Sequence, residues 1–309
     1  MNTTGNILIC GGHGVAGNAI HNSLIMKGYD NIFVPNHLEC DLTEQNSVDR
    51  LFAKVKPEWV FMTAAKMGSI IYRNEHPADI LTQNLQMQTN VIQSAHKYNA
   101  KKLLFISSDF IYPNTESGIL KEEDFFTNVP DPKDLPYSLA KTVAIKMCDF
   151  YRQQYGDNFF TVVPCAFFGE KSTFDLDRAS VVAALIKRFH VAKENGAPEL
   201  ILWGSGKPVK EFLFSEDIGD ACVFLMEKYE EGGLINIGAG DGGHTIMETA
   251  QIIKSVVGYD GQITCDLSKP DGIMRRVMDS SKIRSLGWIP KYDLKESIQK
   301  MYEYYLQIK

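Results

Sequence analysis

A chain of 309 residues, 44% hydrophobic and 23% charged, is long enough to bury a substantial core as one large domain or two coupled ones. Its net charge of −6 lacks the basic excess that nucleic acid or an anionic membrane attracts, so neither is an expected partner. No apolar run approaches the roughly eighteen residues of a membrane span, and the polar start lacks a signal-peptide pattern, so we expect a cytoplasmic protein.

The cysteines indicate neither a disulfide framework nor a metal centre. The sequence contains no C-x-x-C pair and no histidine cluster at metal-ligand spacing. We therefore expect six free cysteines that behave as small buried hydrophobic residues, and no metal. They are Cys10, Cys40, Cys148, Cys165, Cys222 and Cys265.

A glycine-rich turn near the N-terminus follows a short apolar run. The pattern predicts a buried strand at 6–10, a turn at Gly11-x-x-Gly14-x-x-Gly17 and an amphipathic helix at 15–27. This arrangement lets backbone N–H groups approach a pyrophosphate at a helix N-terminus. The spacing departs from the G-x-G-x-x-G of most dinucleotide dehydrogenases, but its place directly after a strand favours a dinucleotide site.

Short apolar runs then alternate with segments of helical periodicity. The predicted strands are 31–34, 58–62, 102–106 and 159–163, and the predicted helices are 15–27, 43–55, 77–98 and 138–155. This repeated strand–helix pattern predicts an α/β fold, a Rossmann-type doubly wound parallel sheet with helices on both faces.

The regular alternation of predicted strands and helices ends after Pro164. A charged loop, a helix near 180–194 and a strand at 200–203 with a glycine turn predict a second, smaller C-terminal α/β lobe. Segments 212–238 and 243–257 are expected to return to the sheet. We therefore expect two interleaved lobes. The nucleotide-binding lobe would comprise 1–165 with 212–260, and the substrate lobe 166–211 with 261–309.

Tyr137 and Lys141, preceded by Ser108, indicate hydride transfer at a carbonyl. Four residues apart on one helix, Tyr137 and Lys141 share a face and lie roughly 5–6 Å apart at Cβ. A nearby ammonium group lowers the pKa of a phenol, and Ser108 would donate a hydrogen bond to the substrate carbonyl. The pair is also compatible with an ordinary helix surface, but the glycine turn and the sheet pattern favour catalysis.

Several motifs resemble the extended short-chain dehydrogenase/reductase superfamily. They are Gly11-x-x-Gly14-x-x-Gly17, Ala64-Ala65-Lys66, Ser108-x-x-x-Tyr112-Pro113 and Tyr137-x-x-x-Lys141. Trp203-Gly-Ser-Gly, Glu211-Phe and Ser268-Lys-Pro-Asp-Gly272 resemble its GDP-L-fucose synthase branch, and the resemblance spans essentially the whole chain. It implies an NADP(H)-dependent oxidoreductase that acts on a GDP-linked keto-sugar.

The resemblance implies roles for individual residues. The implied catalytic residues are Ser108, Tyr137 and Lys141. The implied cofactor-binding residues, besides Tyr137 and Lys141, are Gly11, His13, Gly14, Val15, Ala16, Gly17, Asn36, His37, Asp41, Leu42, Ala64, Ala65, Lys66 and Pro164. The implied substrate-binding residues are Ser108, Asp109, Phe110, Ser180, Arg188, Trp203, Lys210 and Arg276.

The resemblance also implies a homodimer, formed through the helices near 79–98 and 138–155. Met87, Val143 and Met147 are the candidates for their exposed faces. The same likeness assigns the diphosphate to Arg188, Lys210 and Arg276, with Trp203 beside them. Lys210 stands where the family usually has arginine, so it would offer a point charge in place of a bidentate fork.

The end of the second strand favours NADP(H) over NAD(H). An acid there would repel a 2′-phosphate, and residues 34–37 contain none before Glu39. His13 and His37 stand where the family places basic residues, and both carry only partial charge near neutral pH. Asp41 is either a contact for the adenine edge or part of the N-cap region of the next helix.

Two positions depart from the bifunctional family pattern. GDP-L-fucose synthases epimerise C3 and C5 with a cysteine and a histidine, and the matching positions here hold Phe110 and Ser180. A phenyl ring carries no proton, and an unassisted hydroxyl is a weak acid and base. We therefore expect a C4 reductase that does not epimerise, acting on a GDP-4-keto-hexose or GDP-4-keto-heptose. The alternatives are a bifunctional synthase that recruits Asp109 or Lys66, and a non-catalytic NADP-binding sensor.

Overall fold

The apolar runs and amphipathic segments fold into parallel strands joined by helices. The computed structural model describes residues 1, 4–67, 70–176 and 178–309. Its strands are, in chain order, Ile7–Cys10 (β1), Ile32–Phe33 (β2), Trp59–Met62 (β3), Lys102–Ile106 (β4), Ile119–Leu120 (β5), Phe159–Pro164 (β6), Ala166–Phe168 (β7), Glu199–Trp203 (β8), Val209–Lys210 (β9), Phe212–Phe214 (β10), Leu234–Ile237 (β11), His244–Thr245 (β12), Gln262–Asp266 (β13) and Arg275–Met278 (β14).

The helices bear out the predicted order of elements. They are, in chain order, Val15–Met26 (α1), Gln45–Val55 (α2), Ile70–Glu75 (α3), Pro77–Lys97 (α4), Leu135–Tyr155 (α5), Val181–Glu194 (α6), Ser215–Lys228 (α7), Ile246–Val257 (α8), Ser281–Ser285 (α9) and Leu294–Ile308 (α10). Among the helices predicted with bounds, α5 differs most: it begins at Leu135, before the predicted residue 138, and Pro136 lies in its first turn, where a missing N–H is tolerated.

Six of these strands form one parallel sheet, in the order β11-β6-β4-β3-β1-β2. β1, β4 and β6 are buried along their whole length, as expected of a sheet covered on both faces. The chain leaves β1 for β2 at one edge and returns to β3 on the other side of β1. The loops after β1 and β3 therefore diverge and leave a crevice at the carboxyl ends of these strands. The predicted Rossmann-type α/β fold is confirmed.

The turn between β1 and α1 is shaped by glycines that no other residue could replace without strain. Gly11 has φ +90°, and a Cβ added to it would lie 2.5 Å from the Ala64 amide nitrogen on the neighbouring β3 loop. A Cβ on Gly17 would lie 2.3 Å from the Gly11 carbonyl oxygen. The lack of a side chain at both positions lets the N-terminus of α1 lie directly against the ends of β1 and β3.

The buried side chains form two clusters. The first surrounds the large sheet and includes Ile218 of α7, and the second joins α6, α8 and α10 to β8 and β10. The sequence analysis placed 212–260 in the first lobe, yet α8 packs in the second cluster; an amphipathic helix fits either core, and only tertiary placement decides between them. Conversely, Ile283 and Trp288 pack in the first cluster. The division into a nucleotide lobe and a substrate lobe stays a prediction.

Candidate active site

The tyrosine and lysine of the predicted catalytic centre lie on α5, over the end of β4. The Lys141 Nζ donates a hydrogen bond to the Ile106 carbonyl oxygen at 2.8 Å and lies 4.5 Å from the centroid of the Phe105 ring. The Tyr137 ring centroid is 5.7 Å from the same nitrogen. Both side chains are buried. The pair therefore sits against the strand that leads into Ser108.

Burial dominates the titration of both side chains. It lowers the pKa of Lys141 to about 7, because the ammonium is removed from water. Burial also raises the pKa of Tyr137; the Asp109 carboxylate adds to that rise, and the Arg73 guanidinium opposes it. The lowering of the Tyr137 pKa by Lys141 therefore stays a prediction, since burial makes the net change a rise. Desolvation is the larger effect, and the cation that acts against it is Arg73.

Ser108 begins a single turn of 3-10 helix that contacts the first turn of α5. Its hydroxyl donates a hydrogen bond to the Asp109 carboxylate at 3.2 Å and accepts one from the Phe110 amide at 3.4 Å. The Ser138 hydroxyl donates to the Phe110 carbonyl oxygen at 2.8 Å. The Phe110 ring stands edge-on to the Tyr137 ring, with centroids 6.3 Å apart. The structure thus brings Ser108, Phe110 and Tyr137 together.

Arg73 of α3 adds a positive charge to this cluster that no sequence motif indicates. Its guanidinium carbon lies 5.6 Å from the centroid of the Phe110 ring. It also pairs with the Asp134 carboxylate at 2.7 Å, directly before α5. Because these partners are distant in sequence, only the fold reveals the contact.

A cavity of about 410 Å³ opens at the crevice between the ends of β1 and β3. Its lining comprises Cys10, Gly11, His13, Gly14, Pro35, Asn36, His37, Cys40, Asp41, Leu42, Ala64 and Met87. Eight of the sixteen predicted cofactor residues are in this set. The other eight lie outside it, and they are Val15, Ala16, Gly17, Ala65, Lys66, Tyr137, Lys141 and Pro164.

The N-terminus of α1 meets this cavity. Gly14, which lines the cavity, is also the N-cap of α1 and has no side chain to satisfy the first amides. The first turn of α1 carries no acidic residue, so the positive end of its dipole is not neutralised from within the helix. An anion such as a pyrophosphate fits this position.

Two carboxylates in the segment after β2, those of Asp41 and Glu39, are hydrogen-bonded to neighbouring residues. The Asp41 carboxylate accepts hydrogen bonds from the Thr43 amide at 2.9 Å and hydroxyl at 2.7 Å, which lower the pKa of Asp41. Asp41 therefore lines the cavity and also closes the turn before α2; an adenine contact stays a prediction. The Glu39 carboxylate accepts a hydrogen bond from the Asn36 backbone N–H at 2.8 Å, and Glu39 is not part of the cavity lining.

Lys66 is held beside the site through its backbone. The buried Asn84 side chain accepts from the Lys66 amide at 2.9 Å and donates to the Lys66 carbonyl oxygen at 2.7 Å. The Lys66 Nζ lies 5.6 Å from the centroid of the Tyr72 ring. Ala65 is exposed, and Pro164 is the last residue of β6, opposite Ile237.

The predicted substrate residues are spread over several elements. Ser180 is the exposed N-cap of α6, without a capping hydrogen bond from its side chain. Arg188 donates a hydrogen bond to the Ile201 carbonyl oxygen, and burial lowers the pKa of Arg188. Trp203 is 71% exposed at the end of β8.

Lys210 and Arg276 lie side by side, because β9 and β14 pair in parallel with these two residues opposite each other. The Arg276 Nε donates to the Asp109 carboxylate at 2.7 Å, so Arg276 is joined to the turn that carries Ser108. The same two side chains affect the titration of Lys210. Burial lowers the pKa of Lys210, the Asp109 carboxylate opposes that change and the Arg276 guanidinium adds to it.

Sequence reasoning missed four residues of the cavity lining. Cys10 ends β1 and Pro35 follows β2, so the rule that ligands bind at the carboxyl ends of parallel strands could have found both. Cys40 and Met87 had no such signal. Met87 was instead a candidate for an exposed face, as was Met147, whose sulfur accepts a hydrogen bond from Thr89 at 3.7 Å and packs against the first core.

Comparisons with known proteins show the family of this chain. Residues 7–238 match the NAD dependent epimerase/dehydratase family. The chain is also 42% identical to a putative GDP-L-fucose synthase 2 from Arabidopsis thaliana, over 99% of this chain and 93% of that protein. The chain belongs to the NAD dependent epimerase/dehydratase family. Its motifs and its sheet are those of the extended short-chain dehydrogenase/reductase fold.

Two solved structures from Campylobacter jejuni resemble this chain over almost its full length. One is a GDP-mannoheptose C4 reductase with NADP bound, at 34% identity and a TM-score of 0.91, with 99% of each chain covered. The other is a GDP-6-OMe-4-keto-L-xylo-heptose reductase, at 33% identity and a TM-score of 0.92, with 100% of this chain and 99% of that chain covered.

Within residues 1, 4–67, 70–176 and 178–309, no helix has the length and apolar character needed to cross a membrane. The same part of the chain holds no group of three or more His, Cys, Asp or Glu side chains placed to bind a metal ion. All six cysteines are free, and five of them are buried.

We predict that Lys141→Met raises the free energy of unfolding at pH 6, because it removes a buried ammonium. The pKa of Lys141 in the folded chain, about 7, lies below its ordinary 10.5. Between these values the unfolded chain binds more protons, so wild-type stability rises with pH relative to the variant. The advantage of Lys141→Met should therefore be full below about pH 7 and should shrink as the pH approaches 10.5.

Denaturant unfolding of wild type and variant at pH 6 and pH 9, roughly either side of the folded pKa, measures this difference. Lys146→Met is the matched control on the same helix, since the Lys146 side chain is 36% exposed and pairs with Asp149 at the surface. A Lys141→Met variant that is no more stable than wild type at pH 6, or a difference that does not change with pH, would contradict the burial described.

Proposed function

We propose that this chain is an NADPH-dependent C4 ketoreductase of a GDP-linked 4-keto-hexose or 4-keto-heptose. The observation that carries the proposal is the placement of buried Tyr137 and Lys141 over the Ser108 turn, anchored by the Lys141–Ile106 hydrogen bond. The names of the relatives support the substrate class, since they include GDP-L-fucose synthases and GDP-heptose reductases.

The cavity fits a dinucleotide. Side chains at Gly11 and Gly17 would clash with the backbone of this turn and of the loop after β3, so the glycines let the N-terminus of α1 lie at the cavity. The unneutralised N-terminus of α1 would hold the pyrophosphate there. The Glu39 carboxylate is hydrogen-bonded to the Asn36 backbone N–H and is not part of the cavity lining, whereas the exposed side chains of His13 and His37 belong to residues that line it. These features favour NADP(H). When bound, this cofactor supplies the hydride.

The chain's own residues would supply the proton. The Tyr137 hydroxyl would give its proton to the oxygen of the ketone as the carbonyl carbon becomes tetrahedral, and the Lys141 ammonium would stabilise the phenolate left behind. The Ser108 hydroxyl would turn from Asp109 to donate a hydrogen bond to the same oxygen. The product would be the secondary alcohol at C4.

The groups needed for epimerisation are missing from this arrangement. Phe110, beside Tyr137, has no proton to transfer, and the Ser180 hydroxyl is exposed at the start of α6. The two substitutes considered from the sequence are engaged elsewhere: Asp109 pairs with Arg276, and the Lys66 ammonium faces the Tyr72 ring. The C3 and C5 configurations of the sugar would therefore pass through unchanged.

A bifunctional GDP-L-fucose synthase is the second candidate. Relatives that carry this name include one at 42% identity, and the Asp109 carboxylate lies within hydrogen-bond distance of Ser108. Removal of protons from C3 and C5 would then require Asp109 to leave Arg276.

We also propose a homodimer formed through α5. Three apolar residues along this helix, Leu139, Val143 and Phe150, are 42%, 43% and 59% exposed, and their spacing places them on one stripe. A second copy of the same helix would cover such a stripe symmetrically.

The reductase proposal predicts NADPH oxidation in the presence of GDP-4-keto-sugars. Tyr137→Phe should lower kcat by about 100-fold or more, because the proton donor is lost while the ring is kept. Tyr151→Phe, the same change further along α5, is the control and should keep kcat within about threefold of wild type, because its ring packs on those of His96, Tyr155 and Phe159. Absence of turnover with hexose and heptose substrates, or full activity in Tyr137→Phe, would reject the proposal.

The dimer proposal predicts a mass of two chains in analytical ultracentrifugation. Val143→Glu should give a single-chain mass, because it places a charge in the apolar stripe. Val191→Glu, at a similarly exposed position on α6, should leave the dimer intact. A wild-type protein that sediments as a monomer would contradict the interface.

A further inference from the structure

Arg276 is bound to the catalytic turn through most of its guanidinium. Its Nε donates to the Asp109 carboxylate at 2.7 Å, and one Nη donates to the Asn114 side chain at 3.4 Å. The other Nη donates to the carbonyl oxygens of Asp109 and Tyr112. Four of the five N–H groups of the guanidinium are therefore engaged by residues of this turn.

The Asp109–Arg276 pair is shielded from water. The two side chains are 17% and 6% exposed, so neither charge is well solvated, and loss of one partner would leave the other charge unpaired. Asp109 in turn accepts a hydrogen bond from the Ser108 hydroxyl at 3.2 Å. A chain of contacts therefore runs from β14 to the hydroxyl that is expected to hold the substrate carbonyl.

The neighbouring Lys210, unlike Arg276, has an ammonium group that the described part of the protein does not engage. It lies opposite Arg276 on β9 and is half-buried, yet its Nζ makes no hydrogen bond or ion pair with any residue that the structure describes. A desolvated ammonium without a partner is suited to receive an anionic ligand. Of the two adjacent cations, Lys210 is thus the one with free donors for a diphosphate.

We propose that Arg276 is a positioning residue that acts through Asp109 on Ser108 and Tyr137, and not a ligand of the diphosphate, which is the role that the family resemblance gives to it together with Lys210. Arg276 offsets the charge of Asp109, which without it would hold the Ser108 proton more tightly and oppose ionisation of Tyr137 more strongly. The inference rests on the proposed reductase function, because its effect appears in the reduction step.

The two roles separate in kinetics and binding. Arg276→Met should lower kcat about 10- to 100-fold, as expected for a misplaced catalytic group, while the GDP dissociation constant from titration calorimetry changes less than about threefold. Lys210→Met should raise the GDP dissociation constant about tenfold, the effect of losing one charge-assisted hydrogen bond. Arg275→Met, one residue along β14 with an exposed side chain, is the control and should change neither quantity.

Removal of the Asp109 charge should restore the kcat that Arg276→Met loses. The double variant Arg276→Met/Asp109→Asn should recover kcat to within about threefold of Asp109→Asn alone, since no unpaired carboxylate remains. Its thermal midpoint should likewise exceed that of Arg276→Met, which separates a misfolded single variant from a mispositioned one.

Distinct results would overturn the inference. A tenfold or larger rise of the GDP dissociation constant in Arg276→Met with kcat unchanged would make Arg276 a phosphate ligand. A double variant as slow as Arg276→Met would show that Arg276 does not act through Asp109. Both results presuppose an active wild type; a wild type that reduces no GDP-4-keto-sugar would overturn the proposed function itself, and this inference with it.

Discussion

The buried ammonium of Lys141 is the constraint on which the active centre depends. A lysine out of water is unfavourable unless its charge is met, and here it is met by the Ile106 carbonyl oxygen and the Phe105 ring. Because that hydrogen bond joins α5 to the end of β4, it also fixes where Tyr137 stands relative to the turn after β4. The fold therefore carries a destabilising group beside the proposed proton donor, and loss of stability at a functional site is a common exchange for activity.

The rest of the centre is assembled from segments that are distant in sequence. The turn at Ser108 is held from one side by the Ser138 hydroxyl and from the other by Arg276. Phe110 projects from this turn onto Tyr137, where the resemblance to bifunctional relatives would call for an acid or base. In the proposed reaction, Phe110 therefore packs against the tyrosine that protonates the ketone and cannot itself move a proton at C3 or C5.

Much of the fold is predictable from the sequence because it rests on local patterns. The apolar run of β4, the helical period of α5 and the glycine turn after β1 each depend on neighbouring residues, and the structure reproduces all three. The cavity also follows from a general rule, since ligands of parallel sheets bind at the carboxyl ends of the strands.

What the sequence cannot disclose are the contacts between distant segments. The resemblance assigns Arg276 to the diphosphate, and only the fold shows that its guanidinium pairs with Asp109. Met87 was expected on an exposed face, and only the fold shows that it lines the cavity. The helix α8 has an apolar face that fits either core, so its period does not say which core it joins. The sign of the pKa change at Tyr137 depends on burial, which spacing alone does not reveal.

The central claim is that this site reduces a ketone without exchanging the neighbouring protons, and solvent deuterium tests it most directly. The reaction is run in deuterated water with NADPH and a GDP-4-keto-sugar, and the product is analysed by mass spectrometry and NMR. Incubation with Tyr137→Phe and incubation without enzyme give the exchange that the ketone undergoes unaided. We expect a C4-reduced product with no deuterium at C3 or C5 above that background. Enzyme-dependent deuterium at either carbon would contradict the account and identify a working epimerase.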